Sequence, residues 1–319
     1  QYTLDANKPV ETAGYIRFLN KVAMRINEDE DVKATRRTIR ICGMAYHRTE
    51  NAPSKYDEAT GKYVPMDETV KLDSRVCMQY APRNADYYVA FDEWGRLGRN
   101  VPYYENLQMW SAITNEMLLW TYNQNFQCYM GMYDNFNSMQ RNYQLMYKYN
   151  GMYIFDQGQW DNRNATAWNV LKGYLSSKLA WNVRVDYQAL IDGFFDNYFG
   201  AASDVMKEVF YDTRAHYAYK YSNGKLDGAR QAVNTTDFWP SNLLDSMLAK
   251  IDSAYAAIEP LKASDGVLYE KIKDRITLES ISYRYMRLEL YVTLYTDGEL
   301  AKERLAFKND CIKVRVSLE

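Results

Sequence analysis

The chain has 319 residues, enough for one large domain or two ordinary ones, and its 47% hydrophobic content supports a full-sized core. A net charge of −2, a pI near 5.9 and the lack of any Lys/Arg run argue against nucleic acid as the main partner. No apolar run reaches membrane-spanning length, so no transmembrane segment is expected.

The composition is unusual in its 30 tyrosines, beside 7 Trp and 11 Phe. Tyrosine joins a flat apolar ring to a hydroxyl, which suits sugars with their C–H faces and hydroxyl edges. It also fills helix interfaces. The four cysteines are Cys42, Cys77, Cys128 and Cys311, with no C-x-x-C pair and none near His47 or His216. This spacing argues against a zinc site, and no metal or other cofactor is expected. Cys42, Cys77 and Cys128 read as small buried hydrophobes within strands. The sequence opens on Gln rather than Met, so a processed or longer parent is expected and export stays open.

In chain order, residues 13–27 repeat Tyr15, Phe18, Leu19, Val22, Ala23 and Ile26 at helical spacing. The short β-branched run 35–47 predicts a strand ending in Tyr46 and His47. Residues 49–69, with Pro53, Gly61 and Pro65, read as a loop. A second strand over 70–81 ends near Tyr80. After a polar connection come a helix over 103–114 and a third strand over 115–123, "NEMLLWTYN". A helix over 135–150 stops at Asn150-Gly151, and a fourth strand over 151–159 carries Asp156, Gln157 and Gln159. A further helix covers 165–182. Beyond 183 the pattern is helical: 186–200, 202–220, 240–260 and 265–296, with Ser203, Ser241 and Asp265 as N-caps. The end, 311–319, reads as a strand or a frayed terminus.

Strands alternating with helices are the rhythm of a parallel sheet. Four strands are half of an eight-stranded barrel, and alone they would leave two open edges. The expected fold is therefore α/β: the C-terminal half of a (β/α)8 TIM-like barrel over 1–183, then a helical extension over 184–319.

In such a barrel, chemistry sits at the C-terminal ends of the strands. There the sequence places Tyr46, His47, Tyr80, Trp120, Tyr122, Asn123, Gln157 and, just beyond, Trp160 as substrate-binding candidates. Asp156 is the best-placed carboxylate and the catalytic candidate, since glycoside cleavage needs two acidic functions around one bond. Each has a structural alternative: core packing for the aromatics, capping of the following loop for Asp156. Asp134 reads as a helix N-cap, and Asp92 and Glu93 as solvated loop charges.

The runs "YIRFLNKVAMRI", "IRICGMAYHRTENAP", "LQMWSAITNEMLLWTYNQNF", "GMYIFDQGQW" and "LKGYLSSKLAWNVRVDYQALIDGFFDNYFGAAS" resemble the family once filed as domain of unknown function 4838. That family is grouped as glycoside hydrolase family 163. The closing Trp-centred helix with F-x-x-x-Y-F-G-A-A is the most specific part, and the resemblance covers roughly 13–220. It implies an extracytoplasmic bacterial hydrolase, related in architecture to barrel hexosaminidases and α-glucuronidases. The implied activity is endo-β-N-acetylglucosaminidase cleavage of complex N-glycans, and the partner an oligosaccharide or glycoprotein glycan. It also implies substrate-facing roles for Tyr46, Trp120, Tyr122 and Gln157, and a principal acid upstream of Gln1. The alternative is a non-catalytic glycan-binding protein of a glycan-import system, a class that is nearly all helix.

Overall fold

A computed structural model describes residues 3–5, 8–9, 11–158, 166–231 and 233–316. Two compact units emerge: residues 1–122 with 137–157, and residues 123–136 with 158–319.

In the first unit, β1 (Thr3–Asp5) and β2 (Lys8–Pro9) form a small antiparallel pair. Helix α1 (Thr12–Glu28) buries Ala13, Ile16, Leu19 and Ala23, a stripe at helical spacing. Asp29 caps the short α2 (Glu30–Ala34) by accepting from Asp31 and Val32 N–H. Strand β3 (Ile41–Ala45) follows. The segment expected to be a loop contains a hairpin, β4 (Ser54–Asp57) with β5 (Lys62–Pro65), which pairs Tyr56 with Tyr63. Its turn uses Gly61 at φ +65°, and Asp57 accepts from Ala59 N–H and the Thr60 hydroxyl. Then come β6 (Val76–Tyr80), α3 (Val101–Ser111), β7 (Met117–Tyr122), α4 (Phe136–Lys148) and β8 (Gly151–Gln157). Asn150, at φ +62°, ends α4 as its sequence signal implied.

The four expected strands form one parallel sheet in the order β3-β6-β7-β8. Its two faces differ. Gly43, Ala45, Met78, Tyr80, Leu119 and Thr121 are buried. Helix α1 lies so close there that a methyl on Gly43 would meet Leu19 Cδ1 at 2.5 Å. On the opposite face Met44, Tyr153 and Phe155 stay 38%, 49% and 46% exposed, so among the described residues this face is open.

Register between β7 and β8 is irregular. Met117 pairs with Gly151 but Leu118 pairs with Tyr153, leaving Met152 as an extra residue. From there Trp120 opposes Phe155, Thr121 opposes Asp156 and Tyr122 opposes Gln157. Since a one-residue slip moves every side chain to the other face, this bulge decides that Gln157, not Asp156, shares the face of Trp120 and Tyr122.

The second unit is helical: α5 (Asn169–Trp181), α6 (Tyr187–Phe199), α7 (Ser203–Ser222), α8 (Ser241–Ile258), α9 (Leu261–Ser264), α10 (Gly266–Leu290) and α11 (Asp297–Lys313). Trp168 packs against Phe195 and Phe210 at 5.6 and 5.3 Å between ring centres, at the heart of its core. Asp265 caps α10 as expected. Ser203 and Ser241 are instead the first helical residues, and Ser203 Oγ donates to Asp196. The expected helix 265–296 ends at Leu290. Asp297-Gly298 begins a new helix, because Thr296 and Glu299 form a reciprocal capping box there. Residues 311–313 are thus helical, not a strand. The cysteine expectations hold only in part: Cys42 and Cys77 lie in strands but are exposed and half-buried, and Cys128 is buried but in a loop. No described helix is long and apolar enough to cross a membrane.

Candidate functional site

The C-terminal ends of β3, β7 and β8 gather Tyr46, Trp120, Tyr122, Phe155 and Gln157 on the open face. Trp120 stands between two near-parallel rings: Tyr46 at 6.2 Å and 14°, and Tyr122 at 6.0 Å and 21°. Phe155 meets the indole edge-on at 5.3 Å. These separations lie within the range where aromatic pairs attract. The indole Nε1–H donates to Gln157 Oε1 at 2.8 Å, which orients that amide with its N–H2 end directed away from the ring.

Local structure fixes Tyr46. The chain leaves β3 extended at Tyr46 (φ −150°) and turns at once, with His47 left-handed at φ +53°. Thr49 Oγ1 donates to Met44 O at 2.7 Å and closes the turn. Arg83 Nη1 donates to the Tyr46 hydroxyl at 3.2 Å. His47 is exposed, with its ring edge-on to Tyr46 at 4.0 Å. Tyr122 also packs edge-on against buried Tyr87. Burial, followed by its neighbour Tyr46, pushes the Tyr122 phenol well above the usual tyrosine range, so it stays a neutral donor.

Other expected residues lie apart from this row. Tyr80 is buried on the covered face, where its hydroxyl donates to Tyr103 O at 3.0 Å. Asp156 faces the same way, and its carboxylate accepts from the Thr121 hydroxyl and the Tyr143 phenol of α4. Asn123 is buried in the second unit; its Oδ1 accepts from Asn135 and its carbonyl from Lys172 Nζ at 2.9 Å. Gln159 and Trp160 lie outside the described residues. Asp92 pairs with Arg141, and Glu93 accepts from Ala90 N–H at 3.0 Å.

Glu50 was not singled out by the sequence. It closes the turn after β3, half-buried, and its backbone carbonyl accepts from Asn106 Nδ2 at 2.6 Å and Trp110 Nε1 at 2.7 Å. Burial raises its carboxyl above the usual range, and its charge acts on the phenols of Tyr80, Tyr103 and Tyr122. The one sequence signal was position: three residues beyond His47, at a strand's C-terminal end.

Among the described residues no group of three or more His, Cys, Asp or Glu could hold a metal ion. The second unit buries a charged set of its own. Asp134 accepts from Phe136 N–H at 3.2 Å, as a helix-cap reading anticipated, and faces Arg214 at 3.6 Å. Burial lowers the Lys172 ammonium to about 7 and raises the Glu279 carboxyl to about 8. Glu279 accepts from Trp168 N–H at 2.7 Å, where Ala167 and Trp168 are both left-handed at φ +59° and +65°. This set holds a strained turn inside a helical core, a structural task.

No curated protein and no solved structure matches the chain. The family described as Domain of unknown function (DUF4838) matches residues 5–212, about two-thirds of the sequence and a span that includes the whole sheet and the first helices of the second unit. The chain is a member of the DUF4838 family.

Proposed function

We propose that this chain is part of a glycoside hydrolase acting on N-acetylglucosamine-containing glycans, in the manner of glycoside hydrolase family 163. The observation that carries this reading is the row Tyr46–Trp120–Tyr122, with the Gln157 amide beside it, on an open sheet face at the strands' C-terminal ends. Aromatic faces attract the C–H faces of a sugar ring, and the Gln157 amide and Tyr122 phenol would bond its hydroxyls or acetamide.

The sheet supports the barrel part of the proposal. Among the described residues, the four parallel strands carry α1 on one face and leave the other partly open, with β3 and β8 as the outer strands. Four β/α units of a barrel would have this form, the open face being the barrel interior. In that arrangement 1–183 supplies the barrel half, 184–319 extends it, and further strands come from upstream sequence. The family resemblance supports an extracytoplasmic location and an endo mode of cleavage on complex N-glycans.

The import-partner alternative calls for helix where this chain has strands β3, β6, β7 and β8. That difference favours the hydrolase reading. The test is incubation of the full-length protein with a complex N-glycan. Release of a reducing-end N-acetylglucosamine product supports the proposal. Tight glycan binding without any product would favour the import partner, and neither binding nor product would reject both.

A further inference from the structure

We propose that a pocket of the first unit, walled by the hairpin β4–β5, the start of α3 and the loop before it, binds a small organic cation of the alkylammonium class. None of its lining residues belongs to the aromatic row of the sheet, so its ligand is independent of the glycan reading above.

The cavity has a volume of about 310 Å³, at the lower end of the range for small-molecule sites. Tyr56 and Tyr63 of the hairpin, Trp94 of the loop and Tyr104 of α3 line it, together with Glu93 and Glu105. The two hairpin rings meet edge-on at 5.4 Å. The Tyr104 hydroxyl is fixed 3.1 Å from that of Tyr149.

Trp94 is held in place at a conformational cost. The chain turns back on it over residues 95–100, where Gly95, Leu97 and Gly98 are left-handed at φ +68°, +57° and +73°. For Leu97 that conformation is strained. A Cβ on Gly98 would lie 2.9 Å from Trp94 Cζ2, so glycine lets the indole lie against the chain there. Buried Asn100 closes the loop. Its backbone N–H donates to Trp94 O at 3.2 Å, and its Nδ2 donates to Asp86 O and Ala90 O at 3.0 Å each. Its Oδ1 accepts from Asp86 N–H at 2.7 Å. Yet Trp94 stays 70% exposed. A large apolar ring fixed so firmly in solvent is a surface prepared for a ligand.

Charge selects that ligand. Asp92 also lines the pocket, but Arg141 Nε donates to it at 2.9 Å and neutralises it. Glu93 Oε1 accepts from Ala90 N–H, and among the described residues neither Glu93 nor Glu105 has an ion pair. No described lysine or arginine lines the pocket. Two uncompensated carboxylates attract a cation, and so do aromatic faces through their quadrupole, whereas an anion meets repulsion from both. Aromatic walls alone would suit a sugar; the carboxylates beside them favour the cation.

The experiment titrates the full-length protein with choline and with its uncharged isostere, the alcohol in which tert-butyl replaces trimethylammonium. Each ligand gives one methyl proton NMR signal, which an aromatic face moves upfield. We expect saturable choline binding with a Kd of about 1 mM or below, and binding of the isostere at least about tenfold weaker. Trp94→Ala should weaken choline binding about tenfold and remove most of the upfield shift. Glu105→Gln keeps the shape of an exposed side chain and should weaken binding about threefold, with a smaller salt dependence. Absence of saturable choline binding overturns the inference, as does equal affinity for choline and its isostere. Wild-type choline affinity in either folded variant also overturns it; should Trp94→Ala unfold, Glu105→Gln decides. An N-acetylglucosamine disaccharide that binds more tightly than choline, and loses that binding in Trp94→Ala, overturns it in favour of a second sugar site.

Discussion

Replacing Trp120 probes the aromatic row at its centre. Trp120→Ala removes the ring between Tyr46 and Tyr122, its edge contact with Phe155 and the 2.8 Å hydrogen bond to Gln157. A sugar lying on that ring covers on the order of 50 Å² of apolar surface, worth about 1–2 kcal/mol. Affinity for an N-acetylglucosamine oligosaccharide should therefore fall roughly tenfold. The fold should survive, because the indole is half-buried on an open face; the three ring contacts contribute about 0.5–1.5 kcal/mol each at most. Trp120→Phe separates the two contributions. It keeps an apolar face but frees the Gln157 amide, so affinity should drop less, about two- to fivefold for one weakened hydrogen bond. Isothermal titration of both variants against the wild type, with thermal midpoints as the folding control, reads these differences. Wild-type affinity in a folded Trp120→Ala protein would refute the reasoning.

Three other predictions follow from the packing. Gly43→Ala places a methyl 2.5 Å from Leu19 Cδ1 and 3.1 Å from Met78 Cε, and should cost about 1–3 kcal/mol by denaturant titration; an unchanged midpoint would show that α1 does not sit tightly on β3. Asp156→Asn keeps the shape of the carboxyl but weakens its bonds from Thr121 and Tyr143, so we predict a loss of stability of about 1–2 kcal/mol by denaturant titration. Unchanged stability would argue against that buried pairing, while a loss of cleavage with stability intact would return Asp156 to the mechanism. Glu279, raised to about 8, holds its proton in the folded state where the unfolded chain has released it. Its stabilising effect is complete below the unfolded value near 4.5 and is lost as pH rises to about 8, on the order of 5 kcal/mol if it acted alone. Glu279→Gln should flatten that fall in stability between pH 5 and 8, and an identical slope in both proteins would contradict the burial argument.

Much of the fold was legible in sequence because its strands announce themselves by composition. Short apolar runs ending in Tyr46, Tyr80, Tyr122 and Gln157 became the four strands of one parallel sheet. What stayed hidden depends on pairing or on distant contacts. The extra residue Met152 is a matter of register with β7, so nothing local revealed that Asp156 would turn away from Trp120 and Gln157 toward it. The hairpin was masked by Pro53, Gly61 and Pro65, although Tyr56 and Tyr63 flank a Gly-containing turn in the manner of a paired strand. Thr296 and Glu299 carried the signature of a new helix that Asp297-Gly298 obscured. Glu50 carries no local signal beyond its position, because the groups that bond its backbone carbonyl, Asn106 and Trp110, lie more than fifty positions away.

The central claim is that the open face at the ends of β3, β7 and β8 receives a sugar. A crystal structure of the protein with a bound N-acetylglucosamine oligosaccharide tests it most directly. The account predicts a sugar ring with its C–H face against Trp120 or Tyr122 and a hydroxyl or acetamide within about 3 Å of the Gln157 amide. A sugar bound elsewhere on the molecule, with the row of rings left bare, would contradict it.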